Sequence, residues 1–461
     1  MRNKYNIIIE KILIYIPFLT FLLYTNVHLA FAMQSNSAFV SSIINFFNKL
    51  YMKSPYIFLL IALILTIYTL INGSKKQKLI TIATIIGCLL MCYNLTTESI
   101  KIGFLTVLLF VSSYLIGILF TLSIYIYIKK NNINDIKKKI ITVAKSIVIY
   151  VGIMFFLAAI SNTNQYSYTY VEQGVTAWIR STNALGHALV FLLPLFMVCY
   201  IRDKKNNYLF YIIVIAILDL LIGTKACYYG LLSTSFITTL YLFIDFIKTK
   251  KHHYFKLLSL TILSVLIVLV SSNLYVSNNI KKSIKNNTNE QGKIDIVNFV
   301  ISDRDSNVDI IKPAFNDSNT FTKMFGLGLY YPRFDFSYVE FDLLDNLYLR
   351  GVYGLVLYVT FFGIIVINIF KGVFNNIKKH FDIDYLSMLL TLAYIGFSSL
   401  FVGHVVFNLM TLTVAIMLML YYIFIIDKRI ETKIELLKEE ASKIELSKKE
   451  TSKKKYKKRK K

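Results

Sequence analysis

The chain is poor in the residues from which soluble sites are commonly built. Four cysteines occur in 461 residues, Cys88, Cys92, Cys199 and Cys227. All lie in or beside apolar runs, so they read as small buried hydrophobes, and this excludes both a disulfide framework and a zinc site. A Gly-rich phosphate loop, H-E-x-x-H, G-x-S-x-G and the kinase signatures are all missing, which removes the common nucleotide, metalloprotease and serine-hydrolase classes. There is one tryptophan. Acids are scarce as well, with 26 Asp and Glu against 51 Lys and Arg. Three of them nevertheless fall together in "YVEFDLLDNLYLRGVYG", as Glu340, Asp342 and Asp345, with Arg350 close behind.

What is abundant is apolar length. Hydrophobic residues make up 56% of the chain, aromatics 15%, and mean hydropathy is +0.57. Runs near twenty residues recur at about 12–32, 55–72, 79–95, 102–128, 140–160, 185–201, 208–223, 226–247, 257–273, 348–370, 385–403 and 405–426. That pattern is a polytopic membrane signature, so an all-α membrane protein with about twelve spans is expected. Basic clusters ("MRNKY", "GSKKQK", "KKNNINDIKKK", "RDKKNN", "KTKKHH", "KGVFNNIKK" and the tail from Asp427) occur at every second connection and place both termini in the cytoplasm. Ala30-x-Ala32 offers a cleavage site for a signal peptide, but the preceding apolar stretch is long for one, so a retained first span is expected.

Four regions follow from this. Residues 1–273 carry spans one to nine, 274–347 form an extracytoplasmic loop subdomain, 348–426 carry spans ten to twelve, and 427–461 are a basic cytoplasmic tail. The loop is polar, with Gly and Pro punctuation, and its length marks it as functional rather than connecting. The tail repeats "KIELLKEEAS" and "KIELSKKETS" and ends "KKKYKKRKK". A ten-residue period supports no coiled coil, so the lysines are expected to meet anionic lipid, and no nucleic-acid partner is expected.

The polar candidates stand where spans meet the outer side. Arg180, beside Trp178 in "AWIRSTNALGH", is either an interfacial Arg and Trp anchor or a fork for phosphate oxygens. Lys225 sits in "LLIGTKACYYG" with almost no loop around it. A charge that deep costs about 2.5–3.5 kcal/mol to insert and so tends to mark function, unless it snorkels. Arg304 lies between Asp303 and Asp305, either as a surface ion cluster or as an anion contact. His404 in "FVGHVVFN", and His187 in the first of these stretches, read as structural histidines or as site residues. If the acid segment is helical, Asp342 and Asp345 share a face; if it is extended, Glu340 and Asp342 do. They serve either as acids at a helix N-terminus or as a general base beside Arg350. Cations holding a lipid pyrophosphate while a carboxylate activates a sugar hydroxyl amount to glycosyl transfer from a lipid-linked donor.

With those residues in view, "GVTAWIRSTNALGHALVFLLPL", "LLIGTKACYYGLL", "VISDRDSN", "KMFGLGLYY", "VEFDLLDNLYLRGVYGLVLY" and "FVGHVVFN" occur in the order seen in the O-antigen ligase and polymerase superfamily. The chain resembles its Gram-positive capsule or exopolysaccharide polymerase-like members. The resemblance covers about 178–408 and implies a GT-C-like, metal-independent membrane glycosyltransferase without cofactor, using an undecaprenyl-pyrophosphate-linked glycan at the bacterial cytoplasmic membrane. It implies a pyrophosphate clamp at Lys225 and Arg304, where ligases of the family carry arginines. It also implies a catalytic position near Glu340, Asp342 and Asp345, where those ligases carry histidine ahead of the glycines matched by Gly351 and Gly354. The expected partners are the lipid-linked donor, a glycan acceptor, membrane lipids on the tail and a chain-length regulator. A repeat-unit flippase or other multi-pass transporter is the competing class, although the polar candidates cluster at the outer edge rather than at the bilayer midplane.

Overall fold

A computed structural model describes residues 4–27, 37–98, 104–168, 173–179, 181–202, 207–249, 254–273, 284–285, 288, 305–328, 339, 341–376, 383–403 and 405–425. Arg180, Arg304, Glu340, His404 and the tail from Asp427 lie outside the described residues.

The chain is an all-α polytopic membrane protein. In order the helices are α1 (Lys4–Leu23), α2 (Ala38–Met52), α3 (Ser54–Asn72), α4 (Lys75–Glu98), α5 (Phe104–Lys130) and α6 (Ile133–Ile160). A hairpin of β1 (Gln165–Tyr168) and β2 (Gln173–Ala177) precedes α7 (Thr182–Arg202), α8 (Asn207–Ile222), α9 (Lys225–Thr249) and α10 (Tyr254–Asn273). The outer segment contributes α11 (Asp305–Asp317) and α12 (Thr320–Phe325), and α13 (Asp342–Asn376), α14 (Ile383–Phe397) and α15 (Leu409–Ile425) complete the bundle. Among the described residues eight helices are long and apolar enough to cross a membrane, and Asn207–Ile222, Phe255–Val270 and Leu409–Ile425 are shorter apolar helices. These eleven correspond to the expected spans after the first.

Local chemistry explains the departures. The first apolar run continues to residue 32, yet α1 stops at Leu23, because the Asn26 amide donates to the Trp178 carbonyl (2.8 Å) and Thr25 pairs with Ile179, drawing the chain into an extended segment. An unexpected helix, α2, starts behind the cap of Ser37, whose side chain accepts from the Val40 amide, and buries Val40, Ile44 and Phe47 at helical spacing. Since α2 is 15 residues long and still exposes Phe39 and Phe46, it suits an interfacial position more than a spanning one. Helix α13 begins at Asp342, six residues before the expected run, with Asp342 and Asp345 in its first turn where carboxylates complement the positive end of the macrodipole.

Burial is uneven across the bundle. All of the hydropathic window of α7 is buried, against 22% for α13. Helix α7 packs against α8, α9 and α14 at the centre of the main core. A second core binds the outer segment to the membrane helices: Ile311 and Phe315 of α11, Leu327, Val339, Tyr348 and Leu349 pack with Met91 and Leu95 of α4 and Phe110 and Tyr114 of α5. Trp178 is fully buried and donates its indole N–H to Thr163 Oγ1 (2.8 Å). The interfacial-anchor alternative therefore fails for the tryptophan, which is a core residue directly after β2.

Candidate functional site

The acid segment is built around a break in α13. Gly351 has φ +71° and ψ −174°, a conformation open to glycine alone, so the helix kinks there. The break exposes main-chain carbonyls, and the loop after α12 takes them: the Leu327 amide donates to Tyr348 O (2.8 Å) and the Gly328 amide to Leu349 O (3.0 Å). The fit is tight in both directions. A Cβ on Gly326 would lie 2.2 Å from Leu349 O, and one on Gly351 would lie 2.4 Å from Met324 C. Asn94 of α4 donates to Gly326 O (2.6 Å) and accepts from Thr322 Oγ1 (3.2 Å), which fixes the same loop to the bundle.

Arg350 immediately precedes the kink and is wholly buried. Its guanidinium donates to Asn346 Oδ1 and to Ser113 Oγ, both at 3.2 Å, and lies 4.1 Å from the ring centroid of Phe407, 4.6 Å from Tyr114 and 5.0 Å from Phe110. A planar, weakly hydrated cation suits such an aromatic box, and an ammonium would lose both the stacking and the fork. The box also borders a cavity of about 30 Å³ shared with Tyr358, Val406 and Leu412, among others.

The two described acids are fully buried and hold main chain. Asp342 Oδ2 accepts from the amides of Val405 and Val406, both at 3.1 Å, and Asp345 Oδ1 accepts from the Val339 amide at 2.7 Å. Asp342 thus holds Val405 and Val406 ahead of α15, and Asp345 holds Val339 ahead of α13. The Asp345 bond is short, and the two to Asp342 lie near the long end of the ordinary N–H···O range. The helical alternative holds, with both acids in one turn of α13.

Lys225 is the first residue of α9 and is partly exposed. It follows Gly223, at φ +72°, and Thr224, whose hydroxyl caps the helix by accepting from the Cys227 amide (3.4 Å). The hairpin lies over this turn: Ser167 Oγ donates to Ile222 O (2.7 Å), and a Cβ on Gly174 would fall 2.4 Å from the same carbonyl. Asp219 sits in the last turn of α8, buried, and neither of its carboxyl oxygens has a hydrogen-bond partner among the described residues. An apolar groove of about 400 Å³ runs between α6 and α8, lined by Gly152, Phe156, Ala159, Val214, Ile217 and Leu221 among others. It also meets Asn164, just ahead of the hairpin, and Val175 of β2.

Among the described site residues, then, the structure groups Asp342, Asp345 and Arg350 on α13 and sets Lys225 on the α8–α9 turn. Sequence reasoning missed Asn94, Ser113, Asn346 and Phe407, which complete the Arg350 and kink contacts. Asn94 and Ser113 are polar residues inside apolar runs, a signal that was available. Among the described residues no group of three or more His, Cys, Asp or Glu is placed to hold a metal ion.

A family profile described as O-antigen ligase like membrane protein matches residues 46–296 and 275–431, so the match runs through the bundle, the outer segment and the kinked helix. No curated protein and no solved structure matches the chain. On a match that covers most of its length, this chain belongs to the O-antigen ligase-like membrane protein family.

Proposed function

We propose that the protein is a membrane glycosyltransferase that polymerises undecaprenyl-pyrophosphate-linked oligosaccharide repeats, or ligates them to another acceptor, on the outer face of the bacterial cytoplasmic membrane. The observation that carries this reading is the family match, whose first segment includes the turn of Lys225 and whose second includes the acids of α13. In the reaction an acceptor hydroxyl attacks the anomeric carbon of the donor sugar. The new C–O bond forms as the bond to the pyrophosphate breaks, a carboxylate takes the hydroxyl proton, and the pyrophosphate leaves as an anion. Lys225 and Arg304 are assigned to the pyrophosphate, with Arg180 and His404 near it, and the base is one of Glu340, Asp342 and Asp345.

Two features support the assignment. The groove between α6 and α8 opens between helices that expose Phe156 and Ile217, and its lining includes Leu221, four residues before Lys225. A lipid chain lying there places its phosphate end at the turn. Arg350, in contrast, is enclosed by rings and amide groups, and its part is to hold the fold of the acid segment rather than to meet the donor.

The test is the size and sidedness of lipid-linked glycans in cells that lack the protein. Single repeats on the outer leaflet support polymerase, and full-length lipid-linked polymer supports ligase. Repeats trapped on the inner leaflet would overturn the reading in favour of a flippase. Lys225→Ala and Arg304→Ala are expected to abolish transfer at normal protein level; activity retained in both removes the clamp.

A further inference from the structure

His187 lies five residues into α7, fully buried, and no part of the transfer chemistry above uses it. Its surroundings connect two distant parts of the candidate site. His187 Nδ1 lies 3.1 Å from the Tyr394 hydroxyl and 3.2 Å from Ser398 Oγ. Tyr394 donates its single proton to the Ala226 carbonyl (2.8 Å), in the first turn of α9 and directly after Lys225. With that proton on Ala226, the tyrosine oxygen accepts from the histidine in the tautomer protonated on Nδ1, and Ser398 Oγ lies within reach of the same nitrogen.

The other end of the network leads to the acids. Ser398 begins the π-helical segment Ser398–Val402 that ends α14, and the Gly403 amide closes it onto Ser398 O (2.7 Å) with φ +73°. Two residues later come the Val405 and Val406 amides that Asp342 holds. The contacts thus include Asp342 with Val405 and Val406, Gly403 with Ser398, Ser398 with His187, His187 with Tyr394, and Tyr394 with Ala226 next to Lys225. Glycines give the helices room for it: a Cβ on Gly230 would lie 2.5 Å from the Tyr394 ring, and one on Gly186 would lie 2.0 Å from Cys227 Sγ.

Buried polar contacts between membrane helices are often plain packing glue. Here the network ends on a main-chain carbonyl in the turn of Lys225 and on the first residue of a π-helical segment, a feature frequent at functional sites. We propose that His187 and Tyr394 are positioning residues that tie the turn carrying Lys225 to the loop held by Asp342. Resting on the transfer reading above, this pair keeps the pyrophosphate-binding cation and the acid cluster in one register during the reaction.

Hydrogen-exchange mass spectrometry on the full chain in lipid nanodiscs tests the tie without any substrate. Tyr394→Phe keeps the ring but removes the bonds to His187 and to Ala226. It should speed exchange in peptides spanning 223–230 and 403–408 about tenfold each, since one of the two buried bonds serves each side. His187→Leu leaves Tyr394 on Ala226 and should speed exchange chiefly at 403–408, the double variant should be no worse there than either single one, and His187→Asn, whose side-chain N–H can replace the Nδ1 donor, should stay close to wild type. If Tyr394→Phe does not yield folded protein, Ser398→Ala removes one acceptor and should show the same direction at 403–408. Unchanged exchange at both segments, or His187→Asn behaving as His187→Leu, would overturn the proposal. In cells, Tyr394→Phe at normal protein level should lower glycan transfer at least about tenfold, while His187→Asn, which keeps a donor toward Tyr394, should not. If deleting the whole chain leaves lipid-linked glycans unchanged, it is the transfer reading that falls, and the exchange data still decide the tie.

Discussion

Replacing Gly351 by alanine adds one methyl group and should cost more than most core truncations. The residue holds φ +71° and ψ −174°, where a Cβ is strained by about 1–3 kcal/mol. The new Cβ would also lie 2.4 Å from Met324 C and O and 2.6 Å from the Gly326 amide nitrogen. Those are backbone atoms, so no side chain can turn away; the loop must move as a unit. Moving it breaks Leu327 N–H to Tyr348 O and Gly328 N–H to Leu349 O, at about 0.5–1.5 kcal/mol each. The total is about 2–6 kcal/mol, and 4 kcal/mol is about a thousandfold in the folded population. Gly363, twelve residues further along the same helix, has nothing within 4 Å of its Cβ position. Gly363→Ala should be neutral or stabilise by up to about 1 kcal/mol. Heating each detergent-solubilised variant and measuring the monodisperse fraction by size-exclusion chromatography compares them directly. Gly351→Ala should aggregate well below wild type and Gly363→Ala at or above it. Equal survival of Gly351→Ala and wild type would refute the interlock of loop and kink.

Further outcomes follow from the same contacts. Asp342→Asn keeps an oxygen that accepts from the Val405 and Val406 amides and should cost about 1 kcal/mol, whereas Asp342→Ala strands both donors and should cost about 2–3 kcal/mol; equal loss of folded protein in the two variants would count against the clamp. Gly186→Ala should destabilise by about 1–3 kcal/mol through contact with Cys227 Sγ, and Cys227→Ala in the same chain should recover much of it; additive losses in a thermal-melt double-mutant cycle would show that the two do not meet. The Cβ position of Gly152 is open, with Val214 at 3.8 Å, so Gly152→Leu should leave melting near wild type while filling the groove. Its expected effect is a lower rate of glycan transfer and weaker photo-crosslinking to a lipid-pyrophosphate probe. Unaltered labelling would place the lipid chain elsewhere.

Hydropathy made the bundle legible because a spanning helix must be apolar for most of its length, whichever neighbours it meets. The hairpin escaped because strands of four and five residues, with only Tyr166 and Tyr168 alternating in the first, are too short to stand out, and α2 because its three buried positions fall within a stretch shorter than a span. The acids were visible as a cluster, and a helical segment put Asp342 and Asp345 on one face. What the pattern did not disclose was their occupation. Asp342 reaches amides 63 and 64 positions away, and Arg350 sits among rings from positions 110, 114 and 407. No spacing rule reaches across such separations. Local chemistry likewise marks Gly351 as a glycine without saying that α12 and its loop will fill the break. Trp178 illustrates the limit most simply, since a tryptophan just ahead of an apolar run reads as an interface anchor, whereas the fold buries it and gives its indole N–H to Thr163.

The complete burial of α7 sets an order on how the protein is made. Its residues are apolar enough to enter the bilayer as soon as they are synthesised, with a mean hydropathy of 2.2 over the spanning window. Yet one of its three principal neighbours, α14, begins only at Ile383, after the outer segment and α13 have been made. The central helix must therefore wait in lipid for nearly half of translation before its last wall arrives. A chain truncated after α13 would insert α7 normally and leave His187 facing hydrocarbon, with neither Tyr394 nor Ser398 to meet it. Such a product is a membrane-embedded orphan of the kind that quality-control proteases remove, so nonsense mutations even late in the reading frame are expected to abolish the protein rather than shorten it.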